Sequence, residues 1–466
     1  MDAPLIKVIA LDLGTTSIKA ALMDEHGQLH SFISQPAPKI TTDQGHYESD
    51  ALCYVETAEQ VLQQCYTKTK NNPPLGLCSQ RSSFLIWEKS NGQPITPLIS
   101  WQDNRGISRC ESLHANEPTI RQLTGLRLTP YYFAPKLSVL LQEHPSWRNK
   151  LTQGEWLIGT LDTFMIWRWT HGKQHIMDAS MAARSSLMDI HQQQWSPVLC
   201  DLFKIPLSIL PQIRPSTGLD IALDNGMILN ASVGDQSAAL IACVTNKPTK
   251  ALVNLGTGGF VIRYLTTQKK TQDGYLRTLI YQDDKHQTHT AIEGTLNSIA
   301  AALAPYPVKE CRIEHLATTD IFCLAEPSGL GAPYFRDDWG LFFSQPTNQL
   351  TPLQITALLL EAIIFRVVRI LEEFHQDSPI TQAYLSGGLS ELDCLQHGIS
   401  QCTPFPVLHL KQKETSLQGA ALLASGLKTK HIHHAEIIKA HSNNDALIEK
   451  YHHWQDWLDA LILDDA

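Results

Sequence analysis

An α/β protein of two similar domains is predicted by three features of the sequence: its length, a strand–turn–strand unit that occurs twice, and the mixed strand and helix patterning after each copy. At 466 residues the chain exceeds what one hydrophobic core ordinarily supports. The first copy opens with an apolar run over residues 7–12, turns through Gly14-Thr15-Thr16-Ser17, and resumes as a strand over 19–23. The second is a strand over 251–255, a turn at Gly256-Thr257-Gly258-Gly259, and a strand over 260–264. The expected domains are therefore 1–247 and 248–466, with Asn246-Lys247-Pro248 as a hinge.

The remaining elements follow in order. Helical periods cover 58–66 and 136–143, and short strands cover 75–78 and 84–87. Asp235 stands at the junction of a loop and a small-residue helix over 238–242. One long helix is predicted over 353–374, because Leu353, Ala357, Leu360, Ile364, Val367 and Leu371 recur at alternating steps of four and three. Glu361 and Arg366 interrupt its apolar centre, so it is expected in a core and not across a membrane.

Composition narrows the class. Hydrophobic residues make up 43% and charged residues 18%, as in globular proteins. The net charge of −9, with basic residues scattered, leaves no electrostatic footprint for nucleic acid. The start, Met1-Asp2-Ala3-Pro4, lacks the basic region of a secretory leader, so a cytoplasmic protein is expected. Ten cysteines show no Cys-x-x-Cys spacing and are expected as mostly buried, reduced thiols. His431, His433, His434, His452 and His453 are expected on a solvated face, not around a metal.

Four clusters can carry chemistry. At the first turn, Gly14 lets backbone approach a phosphate, hydroxyls and N–H groups can donate to its oxygens, and Asp12 at the strand end can hold a hydrated Mg²⁺. A plain hairpin with a polar turn suits the same residues. The second turn adds weight, since two such turns can clamp a polyphosphate. No G-x-x-x-x-G-K-[ST] or G-x-G-x-x-G loop occurs. Asp235, in Gly234-Asp235-Gln236-Ser237, can take a proton from an attacking hydroxyl, or can simply cap its helix. Gln80-Arg81-Ser82, Trp101-Gln102-Asp103-Asn104-Arg105 and Pro130-Tyr131-Tyr132 mix aromatic faces with polar forks, as a polyhydroxylated ligand requires. Finally, the glycines of Ser386-Gly387-Gly388 and of the helix opening at Thr415 can admit an adenine ring against bare backbone, or serve tight packing.

Taken in order, these motifs resemble the FGGY carbohydrate kinases, within the actin, hexokinase and heat-shock-chaperone type of ATPase fold, and most closely the glycerol kinases. The resemblance runs nearly end to end. It is carried by Ala10-Leu11-Asp12-Leu13-Gly14-Thr15-Thr16-Ser17, Gln80-Arg81, Trp87-Glu88-Lys89, Trp101-Gln102-Asp103 and Thr124-Gly125-Leu126. It continues through Pro130-Tyr131, Gly159-Thr160-Leu161-Asp162-Thr163, Asp178-Ala179-Ser180, Ile209-Leu210-Pro211 and Gly234-Asp235-Gln236. Gly256-Thr257-Gly258, Gly329-Leu330-Gly331-Ala332-Pro333-Tyr334 and Ser386-Gly387-Gly388 complete it.

The resemblance implies two ribonuclease H-like domains with an ATP cleft between them, ATP and Mg²⁺ as cofactors, and a polyol or sugar as acceptor. By it, Asp235 is the catalytic base, and Asp12 with Asp235 organises the metal. Thr15, Thr16, Ser17, Lys19, Gly256, Thr257, Gly387 and Gly388 line the ATP site. Arg81, Ser82, Trp101, Tyr131, Asp235 and Gln236 surround the acceptor. A homodimer is suggested by the resemblance alone.

Several positions depart from the glycerol kinase pattern. Ser82 stands where an acid follows the Gln-Arg pair, Lys19 where an Arg is usual, and Ala300 and Ala304 where Gly and Gln are. Leu392 replaces an adenine-side Asn, and Leu341-Phe342-Phe343-Ser344-Gln345 a Gly-rich run. Two readings follow: a kinase acting on glycerol, a pentulose or another polyol, or a nucleotide-binding regulatory protein of the same fold.

Overall fold

The computed structural model describes residues 5–244, 247–265, 274–336, 338–411, 414–426, 435–438 and 445–464. The chain forms two compact units. Unit 1 comprises Met1–Thr245, Arg277–Thr290 and Glu414–Ile432; unit 2 comprises Asn246–Leu276, Ala291–Lys413 and His433–Ala466. The first boundary lies two residues before the cut expected from sequence, and two later segments return to unit 1, which a single cut does not allow. Asn246 of the expected hinge lies outside the described residues.

In chain order the elements that place the site are β1 (Ile6–Leu13), β2 (Ser17–Asp24), β3 (Leu29–Pro36), α1 (Ala51–Tyr66), β4 (Leu75–Ser79) and α2 (Phe133–Glu143). β5 (Thr217–Ala222), β6 (Ile228–Gly234), α3 (Asp235–Val244), β7 (Lys250–Leu255), β8 (Gly259–Tyr264), β9 (Leu276–Gln282) and β10 (Thr288–Leu296) follow. Then come α4 (Pro352–Asp377), β11 (Gln382–Ser386), α5 (Asp393–Cys402), β12 (Val407–Leu410), α6 (Thr415–Ser425), β13 (Ala435–Ile437) and α7 (Asp445–Asp464).

Unit 1 is built on a six-stranded sheet, order β5-β6-β4-β1-β2-β3. β1 is buried on both faces because period-2 alternation sends its side chains to two layers. Ile9, Leu11 and Leu13 pack with Tyr54, Val55, Ala58 and Val61 of α1. Val8 and Ala10 pack with Leu417, Ala421 and Leu422 of α6. α1 starts at Ala51, a full two turns before the expected period, because the Asp50 carboxylate caps it by accepting from the Cys53 N–H.

α6 follows the return of the chain to unit 1, and its small residues explain how close it lies. A Cβ on Gly419 would stand 1.8 Å from the Ala238 carbonyl oxygen of α3, and one on Gly76 of β4 would stand 2.4 Å from that of Ala420. Gly419→Ala is therefore expected to lower stability by about 1–3 kcal/mol through overpacking against backbone that cannot step aside. Exchange protection of the amides within 415–425 checks this; unchanged protection would mean that the two helices accept the added methyl without strain.

Unit 2 repeats the plan. Its strands, β10 from Ala291 onward and then β8, β7, β11, β12 and β13, are neighbours in that order in one sheet. In both sheets an antiparallel hairpin leads into three parallel strands, β1-β4-β6 in one and β7-β11-β12 in the other, with an antiparallel strand at the edge. The duplication expected from the two turns is thus present in topology. α4 begins with a Thr351/Gln354 capping box and Pro352 at its first turn, and is buried along nearly its whole length.

Eight of the ten cysteines are buried, one is partly so, and none is paired. His452 and His453 lie exposed on α7, as expected, whereas His431, His433 and His434 lie outside the described residues. Among the described residues no helix is long and apolar enough to cross a membrane.

Candidate active site

Unit 1 gathers most of the residues singled out from sequence at the C-terminal ends of its parallel strands. β1 and β4 run in register with Asp12 beside Cys78 and Leu13 beside Ser79. β6 joins β4 with Gly234 beside Ser79, so Asp12 and Asp235 emerge from strands flanking the same neighbour. After Leu13 the chain turns sharply: a Cβ on Gly14 would stand 2.7 Å from the Ser17 carbonyl oxygen. The Tyr54 hydroxyl anchors the turn by donating to the Gly14 carbonyl at 2.6 Å. Thr16 is exposed and Ser17 partly so, while Lys19 is engaged by Glu414, its Nζ 2.7 and 3.0 Å from the two carboxylate oxygens.

Asp12 is held in a costly state. Its Oδ1 is buried with no hydrogen-bond partner. Burial, reinforced by the negative charge of nearby Asp235, pushes the carboxyl up to about 7.

Asp235 is the first residue of α3, and its Oδ1 accepts from the Gln236 N–H at 2.7 Å. The strand end before it is fixed from behind. The Gly234 N–H donates to Ser180 Oγ at 2.9 Å, and Asp178 accepts from the N–H groups of Ser180 and Met181 and from the Ser216 hydroxyl. The Arg81 side chain crosses this strand end so closely that a Cβ on Gly234 would lie 2.7 Å from its Cδ. Arg81 Nε then lies 3.7 Å from Asp235 Oδ1, and the guanidinium donates to the Gln236 side-chain carbonyl. Burial raises the Asp235 carboxyl above its ordinary value, against the opposing pull of Arg81, the Gln236 N–H and Arg184.

The aromatic candidates stand beside the first turn. The Trp101 indole N–H donates to Thr15 Oγ1 at 3.0 Å, and Thr15 in turn donates to Gln80 Oε1 at 3.3 Å. The Ser83 hydroxyl donates to that same Gln80 oxygen at 2.8 Å and accepts from the Trp101 N–H at 2.9 Å. The rings of Trp101 and Tyr131 are 39% and 49% exposed, with centroids 6.4 Å apart, edge to face. They offer an open apolar corner. Ser82 sits differently: it is buried, has φ of +62°, and directs its hydroxyl to the Arg184 carbonyl at 3.2 Å.

Gln80, Ser83 and Lys136 join this cluster only in three dimensions, through partners distant in the chain. Only Lys136 carried a signal, a charge at 136 between Phe133 and Leu137 on an otherwise apolar helix face.

In unit 2 the equivalent register puts Asn254 beside Ser386 where unit 1 puts Asp12 beside Cys78. Asn254 Oδ1 accepts from the Ser386 hydroxyl at 3.0 Å, so this second strand end is neutral. The turn is closed by Gly256 N–H donating to the Gly258 carbonyl at 2.8 Å, and the Ala300 N–H donates to the Thr257 carbonyl at 3.1 Å. Gly387 has φ of +90°, and a Cβ there would meet the Leu255 carbonyl oxygen at 2.4 Å, so only glycine fits. The pairs Gly256-Thr257 and Gly387-Gly388 therefore lie side by side at the ends of adjacent parallel strands, with Thr257, Gly387 and Gly388 exposed.

Among the described residues no group of three or more His, Cys, Asp or Glu forms a metal cage. Mg²⁺ does not need one, since it keeps several waters and binds through one or two carboxylates plus phosphate oxygens. The unpartnered Asp12 oxygen, with Asp235 close enough to raise its pKa, fits that donor set.

Residues 7–228 match the N-terminal domain, and residues 251–426 the C-terminal domain, of the FGGY family of carbohydrate kinases. The chain is 31% identical to the glycerol kinase of Acinetobacter baylyi over 446 residues, covering 90% of each protein. It is 31% identical to that of Acaryochloris marina, covering 89% of this chain and 88% of the relative. In three dimensions it is similar to the Plasmodium falciparum glycerol kinase solved with ADP, at a TM-score of 0.86 and 22% identity over 99% of both chains. It is also similar to a gluconate kinase from Lactobacillus acidophilus, at a TM-score of 0.81 and 17% identity over 97% and 98% of the two chains.

Proposed function

The chain belongs to the FGGY family of carbohydrate kinases, and from that premise we propose that it transfers the γ-phosphate of ATP to a hydroxyl of glycerol or a closely related polyol, with Asp235 as general base. One observation carries this reading: within a single unit, the Asp235 carboxylate, touched by Arg81 and Gln236, neighbours an Asp12 carboxylate whose buried Oδ1 has no hydrogen-bond partner.

In this reading Arg81 and Gln236 donate to the acceptor hydroxyls, and the open faces of Trp101 and Tyr131 cover its C–H surface. Asp235 accepts the proton of the attacking hydroxyl. That oxygen bonds to the γ-phosphorus as the bond to the bridging oxygen breaks, and ADP leaves. In unit 1 the amides and hydroxyls of Gly14, Thr15 and Thr16 receive phosphate oxygens; in unit 2 Gly256, Thr257, Gly387 and Gly388 offer bare backbone and a hydroxyl to a nucleotide. Asp12 and Asp235 would hold Mg²⁺, which when bound offsets negative charge on the phosphates. The cytoplasm suits an enzyme with ten unpaired cysteines.

Ser82 shapes the acceptor choice. Its hydroxyl donates to the Arg184 carbonyl, so this position offers a ligand no carboxylate and only an oxygen that can accept. Recognition then falls on Arg81, Gln236 and the two rings, which suit longer polyols and pentuloses as well as glycerol. A coupled ADP assay over glycerol, erythritol, xylulose, ribulose, gluconate and hexoses tests the proposal. ADP release that depends on one of these acceptors is expected; ATP turnover indifferent to all of them would sink it.

A further inference from the structure

We propose that Lys136 is a positioning residue that sets the acceptor-binding surface by pinning together the two backbone segments that carry Arg81 and Trp101. The inference rests on the reading that those two residues meet the acceptor. Lys136 lies on α2 and is fully buried. Its ammonium donates to the Ser82 carbonyl at 3.0 Å and to the Ser100 carbonyl at 2.9 Å. The Phe84 ring lies 5.8 Å away.

This is an expensive way to satisfy two neutral carbonyls. Taking an ammonium out of water is repaid only by close partners of opposite charge. Asp103 faces Lys136 but is already bound by Arg105 at 2.7 Å, and Arg105 opposes the lysine charge. Burial accordingly drives the lysine down to about 7. A methionine would fill the same space without the desolvation cost, so the ammonium is poorly explained as a stabilising device.

Its two acceptors, by contrast, are specific. Ser82 follows Arg81 and adopts a left-handed conformation. Ser100 immediately precedes Trp101. The Ser83 hydroxyl adds a second tie between the segments by accepting from the Trp101 N–H. Lys136 therefore fixes the separation between a guanidinium that touches Asp235 and Gln236 and an indole that donates to Thr15. Removing it frees both segments to shift by the fraction of an ångström on which hydrogen-bonded recognition depends.

The test compares Lys136→Met, which keeps the volume and removes the donors, with Lys136→Arg, which keeps the charge. For Met, KM for the acceptor is expected to rise at least tenfold while KM for ATP moves less than about threefold, with Arg recovering part of the loss. A purely structural lysine would lower the melting temperature and the active fraction and leave acceptor KM within about twofold, and that result overturns the proposal. Should the wild type phosphorylate no acceptor, the reading of function fails first. Hydrogen–deuterium exchange then decides on the lysine alone: at least tenfold faster exchange in Met over residues 81–84 and 100–103, and not elsewhere on α2, supports it, and unchanged exchange overturns it.

Discussion

Asp235→Asn is expected to lower kcat by about two to four orders of magnitude, the range for removing a positioned general base, while leaving folding intact. The amide keeps the size of the carboxylate and can still accept from the Gln236 N–H at the start of α3, so the local geometry survives. What it loses is the capacity to take a proton, together with one of the two negative charges proposed to hold Mg²⁺. Stability should not suffer. A carboxyl raised by burial costs stability above its unfolded pKa, where the folded state must hold a desolvated charge, and the neutral amide escapes that cost at pH 7. The pH profile supplies a second readout. Wild-type kcat/KM should fall as pH drops through the raised Asp235 value, because the protonated carboxyl cannot act as base, and Asn should lose that part of the acid limb and keep only the part set by the buried Asp12. A variant within fivefold of wild type, with the same profile, would remove Asp235 from the chemistry.

The parts of this site legible in the sequence are those set by neighbouring residues. An acid at the end of an apolar run, a glycine after it and a hydroxyl-rich turn make Asp12 and the first turn candidates without knowledge of the fold. The two turns of similar composition anticipated two sheets of the same topology. Asp235 was legible as either a base or a cap, and the structure explains the ambiguity: it opens α3 and accepts the Gln236 N–H while also standing beside Arg81. Gln80, Ser83 and Lys136 were not legible because their roles depend on partners distant in the chain. Lys136 meets carbonyls 54 and 36 residues earlier, and Gln80 meets Thr15. The return of α6 to unit 1 was hidden for the same reason, since small residues at a helix start do not disclose which carbonyl they lie against. Ser82 illustrates the converse: its sequence position gives no sign of the left-handed φ and the bond to the Arg184 carbonyl that fix its side chain.

Arg366→Leu is expected to cost about 3–5 kcal/mol, because it strands a carboxylate that the fold has buried. Arg366 and Glu326 are each 1% exposed and meet at 2.7 Å from Nε to Oε1. The arginine also donates to the Ala332 carbonyl at 2.7 Å. The second glutamate oxygen accepts from the N–H groups of Asn297 and Gly331 at 2.7 and 2.8 Å. One buried pair thereby joins α4 to two loops, and the first of these leads directly to Ala300, whose N–H holds the Thr257 carbonyl of the second turn. Leucine leaves Glu326 with two amide donors and no countercharge. The double substitution Glu326→Gln/Arg366→Leu should recover part of the loss, since a neutral amide tolerates burial that a lone carboxylate does not. The two compact units make a single unfolding midpoint a poor gauge, so exchange protection of amides within 357–374 is the appropriate measure. Protection lowered by less than about tenfold would show that the pair is bypassed by the surrounding core. A loss of the expected size, together with a severalfold rise in KM for ATP, would tie the stability of this network to the turn it supports.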